Sequence, residues 1–328
     1  MIRLIRGLAS VVSILVTIVL GLAAGAAGAQ AFPSRPLTIL VPFAAGGPAD
    51  IVSRVTAQEV SKILGQPVVV DNRVGASGKI AIQALLRAPR DGYTVAFISP
   101  TIMTVNPLID KDVGYEPLKD IQPLTTSLRA GNVLVVYPGT GFKSIQELVA
   151  YAKDNPGKLN YGSYGMGSSL HLYTERLLKT LNIKATQIPY KGEAPIFNEL
   201  MAGGLDFMIA SGAAKPYIDN GKLRVLGTTG ASRATIFPQI PTLQESGLKE
   251  LAQYSEVPWL GFGVASGVPA DVVVKLHDAF AKALRADDVR NRLIIFGDLA
   301  PSSPQEFSSI IKAELDANRG LLRTLKLD

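Results

Sequence analysis

The stretch Ile39-Leu40-Val41-Pro42-Phe43-Ala44-Ala45-Gly46-Gly47-Pro48-Ala49-Asp50 reads as the end of a buried strand, a loop of small residues and the start of a helix. The apolar run from Leu37 to Val41 is that of a strand covered on both faces. Gly47 suits the N-cap, and Pro48 suits the first helical position, where its missing N–H costs nothing. Asp50 then falls in the first turn, opposite the positive end of the helix dipole, with Arg54 one turn later as a partner. Val52, Val55, Val60, Ile63 and Leu64 continue at helical spacing. The loop would leave the N–H groups of Gly46, Gly47 and Ala49 facing outward beside Phe43, a seat for an anionic group on a small ligand.

The same grammar returns downstream. Lys158-Leu159-Asn160-Tyr161 reads as a short strand, followed by the loop Gly162 to Ser169 and a helix to Leu181 capped by Ser168. Two strand–glycine loop–helix units on separate halves of the chain can face each other across a cleft.

The bulk numbers fit that picture. The chain has 328 residues, 47% of them hydrophobic and 18% charged, which points to a globular protein of about two domains. Residues 1–31 stand apart. Arg3 and Arg6 form a basic start, Val11 to Leu22 is strongly apolar, and Ala29-Gln30-Ala31 fits a small-residue cleavage site, so export with cleavage near Ala31 is expected. An uncleaved anchor is the rival, but its tail of Gly and Ala makes a poor membrane core. Without Arg3 and Arg6 the formal charge drops from +6 to +4. The remaining Lys and Arg are scattered, so nucleic acid is not an expected partner. Cysteine is absent, which removes disulfides, thiolate metal sites and cysteine nucleophiles.

In order along the chain, strands are expected at Pro67–Asp71 and Tyr93–Ile98, with a glycine-rich turn and a helix Lys79–Arg87 between them. This strand–helix alternation means a parallel sheet with helices on both faces. A looser segment containing Asn106-Pro107 and Glu116-Pro117 follows. Val133–Tyr137 opens a second α/β half, with a capping box at Ser144-Ile145-Gln146-Glu147. Strands are expected at Thr186–Pro189, Leu205–Ala210, Leu223–Thr229 and Leu260–Ala265. Helices are expected to Ala202, over Pro269–Arg285 and Asp287–Phe296, and from Pro304 to about Leu325.

Enzyme signatures do not emerge. Gly78-Lys79 is followed by Ile80, not by the Ser or Thr of a phosphate loop, and Gly165-Met166-Gly167 lacks a third glycine. Ser163 lies between Gly162 and Tyr164, so no nucleophile elbow forms. With His171 and His277 the only histidines, no histidine-rich metal site can form, and no cofactor is implied. Binding uses more of the residues. Gly46, Gly47, Ser163, Gly167 and Ser168 would offer donors to a carboxylate, and charge-assisted hydrogen bonds contribute about 1.5–3 kcal/mol each. Several candidates have plainer readings beside the functional one: Asp50 as a dipole and Arg54 partner, Phe43 as core, Asp206 as a cap on backbone amides, Lys191 within a surface turn, and His171 packed on its helix start.

Pro36–Arg54 (PLTILVPFAAGGPADIVSR), Gly65–Gly78 (GQPVVVDNRVGASG), Asp91–Thr94, Asn160–Leu172 (NYGSYGMGSSLHL), Pro189–Gly192, Gly204–Asp206 and Pro241–Gly247 (PTLQESG) occur in that order. Together they resemble the substrate-binding receptors of tripartite tricarboxylate transporters, the Bug (Bordetella uptake gene) family. The resemblance implies an α/β, two-domain periplasmic binding protein, a type II-like venus flytrap with a parallel-rich sheet in each domain and a two-crossing hinge. It implies a leader over 1–31, one domain from 32–130 plus 255–328, and another over 131–254. Phe43, Ala45, Gly46, Gly47 and Asp50 on one side, and Ser163, Gly167, Ser168 and His171 on the other, would flank a carboxylate, often through ordered water. Pro100, Thr101, Lys191 and Ser211 would lie toward the variable end of the ligand, with Asp206 a further candidate for ligand contact. The implied partners are a small organic acid and a membrane permease of one large and one small subunit, with the receptor a periplasmic monomer and not an enzyme. A sensor that signals to a membrane kinase is the alternative. Two departures stand out: Trp259-Leu260-Gly261-Phe262 only approximates the usual W-x-G-L, and Asn318 stands where a tryptophan is common.

Overall fold

Two mixed sheets organise the chain. A computed structural model describes residues 32–129, 131–163, 165, 168–190 and 192–325; the expected leader over 1–31 and its cleavage near Ala31 lie outside them, as do Tyr164, Met166, Gly167 and Lys191. The larger sheet has six strands in the order β11-β4-β10-β3-β1-β2, and the smaller has five in the order β7-β6-β8-β5-β9. Strands β1 (Leu37–Val41), β2 (Val68–Asn72), β3 (Thr94–Ile98) and β4 (Ile121–Arg129) run one way, against β10 (Trp259–Ala265) and the short β11 (Asp298–Leu299). In the small sheet β6 (Asn160–Ser163), β7 (Thr186–Pro189), β8 (Phe207–Ala210) and β9 (Arg224–Thr228) share a direction, and β5 (Val133–Val136) is reversed. Both sheets are mixed but parallel-rich and interleaved with helices, an α/β architecture built on two sheets.

Helices follow from local chemistry. Gly47 caps α1 (Pro48–Leu64) with Pro48 at its start, and Gly65, at φ 67°, ends it. The helix α2 (Lys79–Arg87) lies where its periodicity places it. Ser144 Oγ accepts from Glu147 N at 3.3 Å to cap α3 (Ile145–Asp154), while the Glu147 carboxylate reaches back to Lys143 N rather than to Ser144. Ser168 caps α4 (Ser169–Leu181), Gly203 closes α5 (Glu193–Ala202), and the other helices include α6 (Ala270–Arg285), α7 (Asp287–Leu293) and α8 (Pro304–Leu325). Among the described residues, no helix is long and apolar enough to cross a membrane.

Tertiary contacts shift several expected elements: the strand expected from Leu205 begins at Phe207, and the helix expected over Asp287–Phe296 ends at Leu293. The strand expected from Lys158 begins at Asn160, because the Lys158 N–H closes a turn onto Asn155 O and pairing with β7 starts at Asn160↔Thr186. The looser segment after Pro117 contains β4, nine residues long and second from the sheet edge. Its sequence, with Pro123 and the run Thr125-Thr126-Ser127, does not look like a core strand, yet all three hydroxyl residues are fully buried. The returning segment 300–302 satisfies two of them: Thr125 Oγ1 donates to Ser302 O at 2.9 Å, and Thr126 Oγ1 donates to Ala300 O. Pro123, which has no N–H to give, sits opposite Gly263 where the β4–β10 register shifts.

Each sheet has its own core. Leu40, Ile82, Leu85, Ile98, Trp259 and Phe307 are buried together on the large sheet, and Val135, Leu148, Tyr161, Leu177, Phe207 and Ile209 on the small one. Each fully buried side chain of this kind contributes about 1.5–3 kcal/mol. The chain passes between the sheets twice, between β4 and β5 and again over 229–258. The passages touch: a Cβ on Gly131 would lie 3.2 Å from Gly230 N, closer than most Cβ contacts, so the close approach favours glycine there. Thr229 N donates to Asn132 O at 2.8 Å, and Glu256 N donates to Thr229 O at 2.7 Å.

Candidate functional site

The first glycine loop is held by a buried carboxylate. Asp50, in the first turn of α1, is 3% exposed and has three partners. Its Oδ2 accepts from Gly46 N at 2.9 Å, Arg54 Nε lies 3.0 and 2.9 Å from its two oxygens, and Asn72 Nδ2 donates to Oδ1 at 2.9 Å. Asn72 also donates to Phe43 O at 3.0 Å, and its own Oδ1 accepts from Arg54 Nη2. Asn72 can do this because β2 pairs with β1 in parallel, Val41↔Asn72, which puts it beside the start of the loop. The Arg54 guanidinium holds the Asp50 carboxyl down at about 2. Asp50 therefore braces the loop, with its oxygens taken up by Gly46, Arg54 and Asn72.

This corrects the expectation for Gly46. Its N–H is not free but committed to Asp50, and its φ of 82° is the left-handed turn that aims it there. Gly47 N makes only a long contact, 3.4 Å, with Ala44 O. Ala44, Ala45 and Gly46 are exposed, and the N–H groups of Ala44 and Ala45 meet no acceptor among the described residues. Phe43 is half-buried, edge-on to Phe97 with centroids 6.3 Å apart, so it is both core lid and loop wall.

The second loop is held by neutral groups. Ser163, at the end of β6, is fully buried; its Oγ accepts from Gln187 Nε2 at 2.6 Å and from Gly165 N at 3.2 Å. Ser168 Oγ donates to Gly165 O at 2.8 Å and accepts from His171 N at 3.2 Å as the cap of α4. His171, one turn in, is 5% exposed and stacked on Tyr161 at 6.5 Å, and burial pulls its imidazole below the usual range, so it is neutral at physiological pH. Tyr161 OH donates to Glu175 Oε1 at 2.5 Å.

The remaining candidates sit at strand ends. Pro100, buried, follows β3 and accepts from Thr104 Oγ1 at 2.9 Å, while Thr101 is half-buried at the start of a π-turn, Thr101–Val105. Val105 packs with Leu172 of α4, so the segments that begin at Thr101 and at Ser168 meet one turn further on. Ser211 follows β8, and the Glu193 carboxylate takes both its N–H and its Oγ, each at 2.7 Å. Asp206 Oδ2 accepts from Asn160 N at 2.7 Å, the capping role that competed with ligand contact for it. Asn72, Gln187 and Glu193 were not singled out in the sequence. Position offered a signal for Asn72, which ends β2, and for Glu193, which opens the helix after β7; Gln187 lies within β7 and reaches Ser163 only through strand pairing.

Two cavities lie elsewhere. One of about 570 Å³ runs between α1, β2 and α7, and one of about 780 Å³ is lined by α4, α8 and the segment around Glu256. Among the described residues no group of three or more His, Cys, Asp or Glu could hold a metal ion.

Residues 52–327 match the family described as "Tripartite tricarboxylate transporter family receptor". The chain belongs to that receptor family. The receptor is 37% identical over 315 residues to a UPF0065 protein in the gbd 5′ region of Cupriavidus necator, an alignment covering 95% of this chain and 94% of that one. Solved structures of similar proteins agree. R. palustris Rpa4515 with adipate superposes with a TM-score of 0.76 at 32% identity, covering 89% of the receptor and 98% of that chain. The periplasmic binding protein BugD gives 0.73 at 29%, covering 90% and 99%. MatC from Rhodopseudomonas palustris with bound malate gives 0.73 at 28%, covering 89% and 100%. The receptor family is thus one of periplasmic solute-binding proteins, whose solved members include carboxylate complexes.

Proposed function

We propose that this receptor captures a small organic dicarboxylate in the periplasm, between a domain of residues 32–130 plus 255–328 and a domain of residues 131–254. The two passages of chain at Gly131 and Gly230 act as its hinge. The loaded form delivers its ligand to a membrane permease of one large and one small subunit; the receptor works as a monomer and catalyses no reaction. One observation carries the reading: α1 and α4 both start, through Gly47 and Ser168, at the end of a parallel strand. Both therefore offer the positive end of a helix dipole and unpaired first-turn N–H groups to an anion.

The proximal carboxylate is assigned to the tip of the first loop, at Ala45 and Gly47, and to the loop that Ser163 and Ser168 brace. Thr101 and the segment around Lys191 and Ser211 are assigned to the distal end. Three or four charge-assisted hydrogen bonds at about 1.5–3 kcal/mol each suffice for micromolar affinity, about −8 kcal/mol, after association costs. The adipate and malate complexes of related proteins support a dicarboxylate of four to six carbons.

The test is a thermal-shift screen of the receptor purified from the periplasm, against adipate, malate, other di- and tricarboxylates, and neutral diols of the same length. A ligand of the folded state raises the melting temperature by mass action. The expected result is a shift with a dicarboxylate and none with its diol. A chain stabilised equally by acid and diol, or by no acid when denatured extracts contain no co-purified acid, would defeat the proposal.

A further inference from the structure

A buried ionic cluster behind the candidate site joins the two halves. Arg176, on α4, has its Nε 2.5 Å from Glu256 Oε2 and its Nη2 3.9 Å from Glu314 Oε1. Its Nη1 donates to Asn318 Oδ1 at 3.0 Å, and its guanidinium lies over the Tyr173 ring at 5.2 Å. Glu314 accepts from Trp259 Nε1 at 2.7 Å and from Tyr173 OH at 3.3 Å. The side chains of Arg176, Glu256 and Glu314 are only 16%, 14% and 12% exposed. α4 packs in the core of the small sheet, while α8, which carries Glu314 and Asn318, packs on the large one. Glu256 lies on the passage between the sheets.

The cluster reaches the candidate site from behind. Asn318 Nδ2 donates to Thr104 O at 3.0 Å, within the π-turn that begins at Thr101. Val105, Leu172, Leu321 and Leu322 are buried together alongside. The two segments that start at Thr101 and Ser168 are thereby tied to one another through Arg176 and Asn318.

Two carboxyls here share one guanidinium. Burial pushes both up, Glu256 to about 7 with Glu314 adding to its rise, and Arg176 pulls both back. One guanidinium, one carboxylate and one protonated carboxyl make a neutral group, the state a dry site favours. The other charged groups around it are Arg129 from β4, Lys179 from α4, Glu250 from the passage and Asp316 from α8, which line the 780 Å³ cavity beside it. Glu250 pairs with Lys153, and Asp316 pairs with Lys312 and Arg319. The Tyr173 and Tyr254 hydroxyls are held protonated by burial. The cavity gives water, and so protons, a route to the carboxyls.

We propose that Arg176, Glu256, Glu314 and Asn318 form a proton-linked tether between the two halves, which holds one proton when α4 and α8 are docked and releases it when they separate. The role in closure rests on the hinged-receptor reading above. The sign follows from linkage. A carboxyl that binds its proton more tightly when docked than when open to water favours docking as pH falls through neutrality, and separation as pH rises. His171, neutral by burial, has the opposite sign and acts below its ordinary value of 6.5.

Trp259 reports on the tether directly. It is the one tryptophan in the sequence, it is 1% exposed, and it donates to Glu314. Acrylamide quenching of its fluorescence is measured on ligand-free receptor from the periplasm. Quenching is expected to rise about twofold or more between about pH 6 and about pH 8.5, and to stay low throughout in Glu256→Gln, whose amide mimics the protonated carboxyl. Quenching that is flat with pH in the unsubstituted protein, or that responds unchanged in Glu256→Gln, overturns the proposal. Should Glu256→Gln not fold, Glu314→Gln must also abolish the response, and the unsubstituted arm stands by itself. No ligand enters the measurement, so its failure leaves the receptor reading intact, and a failed ligand screen leaves this test unaffected.

Discussion

The two glycine loops do the same geometric job with opposite chemistry. The first is fixed by a charged network, Asp50 with Arg54 and Asn72, which draws the Gly46 N–H inward and fixes the Phe43 carbonyl. The second is fixed by neutral hydroxyls and an amide, Ser163 with Gln187 and Ser168 with Gly165. A negative charge placed behind the proposed anion seat would oppose a carboxylate unless it is neutralised, and Arg54 pairs with it. The second loop needs no such compensation. The lesson is that a conspicuous acid in a glycine-loop motif can be scaffold, and that the donors proposed for the ligand are backbone groups that no side-chain pattern reveals.

Breaking the charged network should have the largest effect. Asp50→Ala leaves Arg54, Asn72 and the Gly46 N–H without their shared acceptor, and is expected to cost about 2–3 kcal/mol, read by denaturant unfolding. The pH dependence identifies the cause. A carboxyl held at about 2 stabilises the fold above its ordinary value of 3.8, and that contribution is lost as pH falls toward about 2. The gap between Asp50→Ala and the unsubstituted protein should therefore close on acidification. A gap that is constant with pH would mean that lost packing, not the ion pair, is responsible.

Gly47→Pro comes next. Gly47 has φ −80°, which the proline ring accepts, so the fold should persist while one N–H at the seat is removed. Dicarboxylate affinity is expected to fall at least about tenfold, or about 1.4 kcal/mol, in calorimetric titration; unchanged affinity would move the seat away from this loop. On the neutral side, Ser168→Ala removes the cap of α4 and should cost about 1 kcal/mol of stability, together with some affinity. Gln187→Ala should have the smallest effect, about 0.5–1 kcal/mol, by freeing the Ser163 hydroxyl. If Gln187→Ala proved as damaging as Asp50→Ala, the contrast between the loops would collapse.

Much of this was legible in the sequence, for physical reasons that can be named. The Pro48 start of α1, the Lys79–Arg87 helix, the Ser144 and Ser168 caps and the Pro304–Leu325 helix follow local rules of capping and periodicity. β4 was not legible, because its buried Thr125 and Thr126 are satisfied by residues more than 170 positions away. The partners of Asp50 were half legible: Arg54 is one helical turn on, but Asn72 arrives through strand pairing. The fate of the Gly46 N–H, and the meeting of Arg176 with Glu256 and Glu314, depend on tertiary placement that no local pattern encodes.

The central claim is that both loops grip one ligand. Hydrogen–deuterium exchange with and without the dicarboxylate that gives the largest thermal shift tests it most directly. The expected result is added protection of 43–50 and of 163–172 together, appearing at the same ligand concentration. Protection confined to one loop, or saturable binding that protects neither, would contradict it.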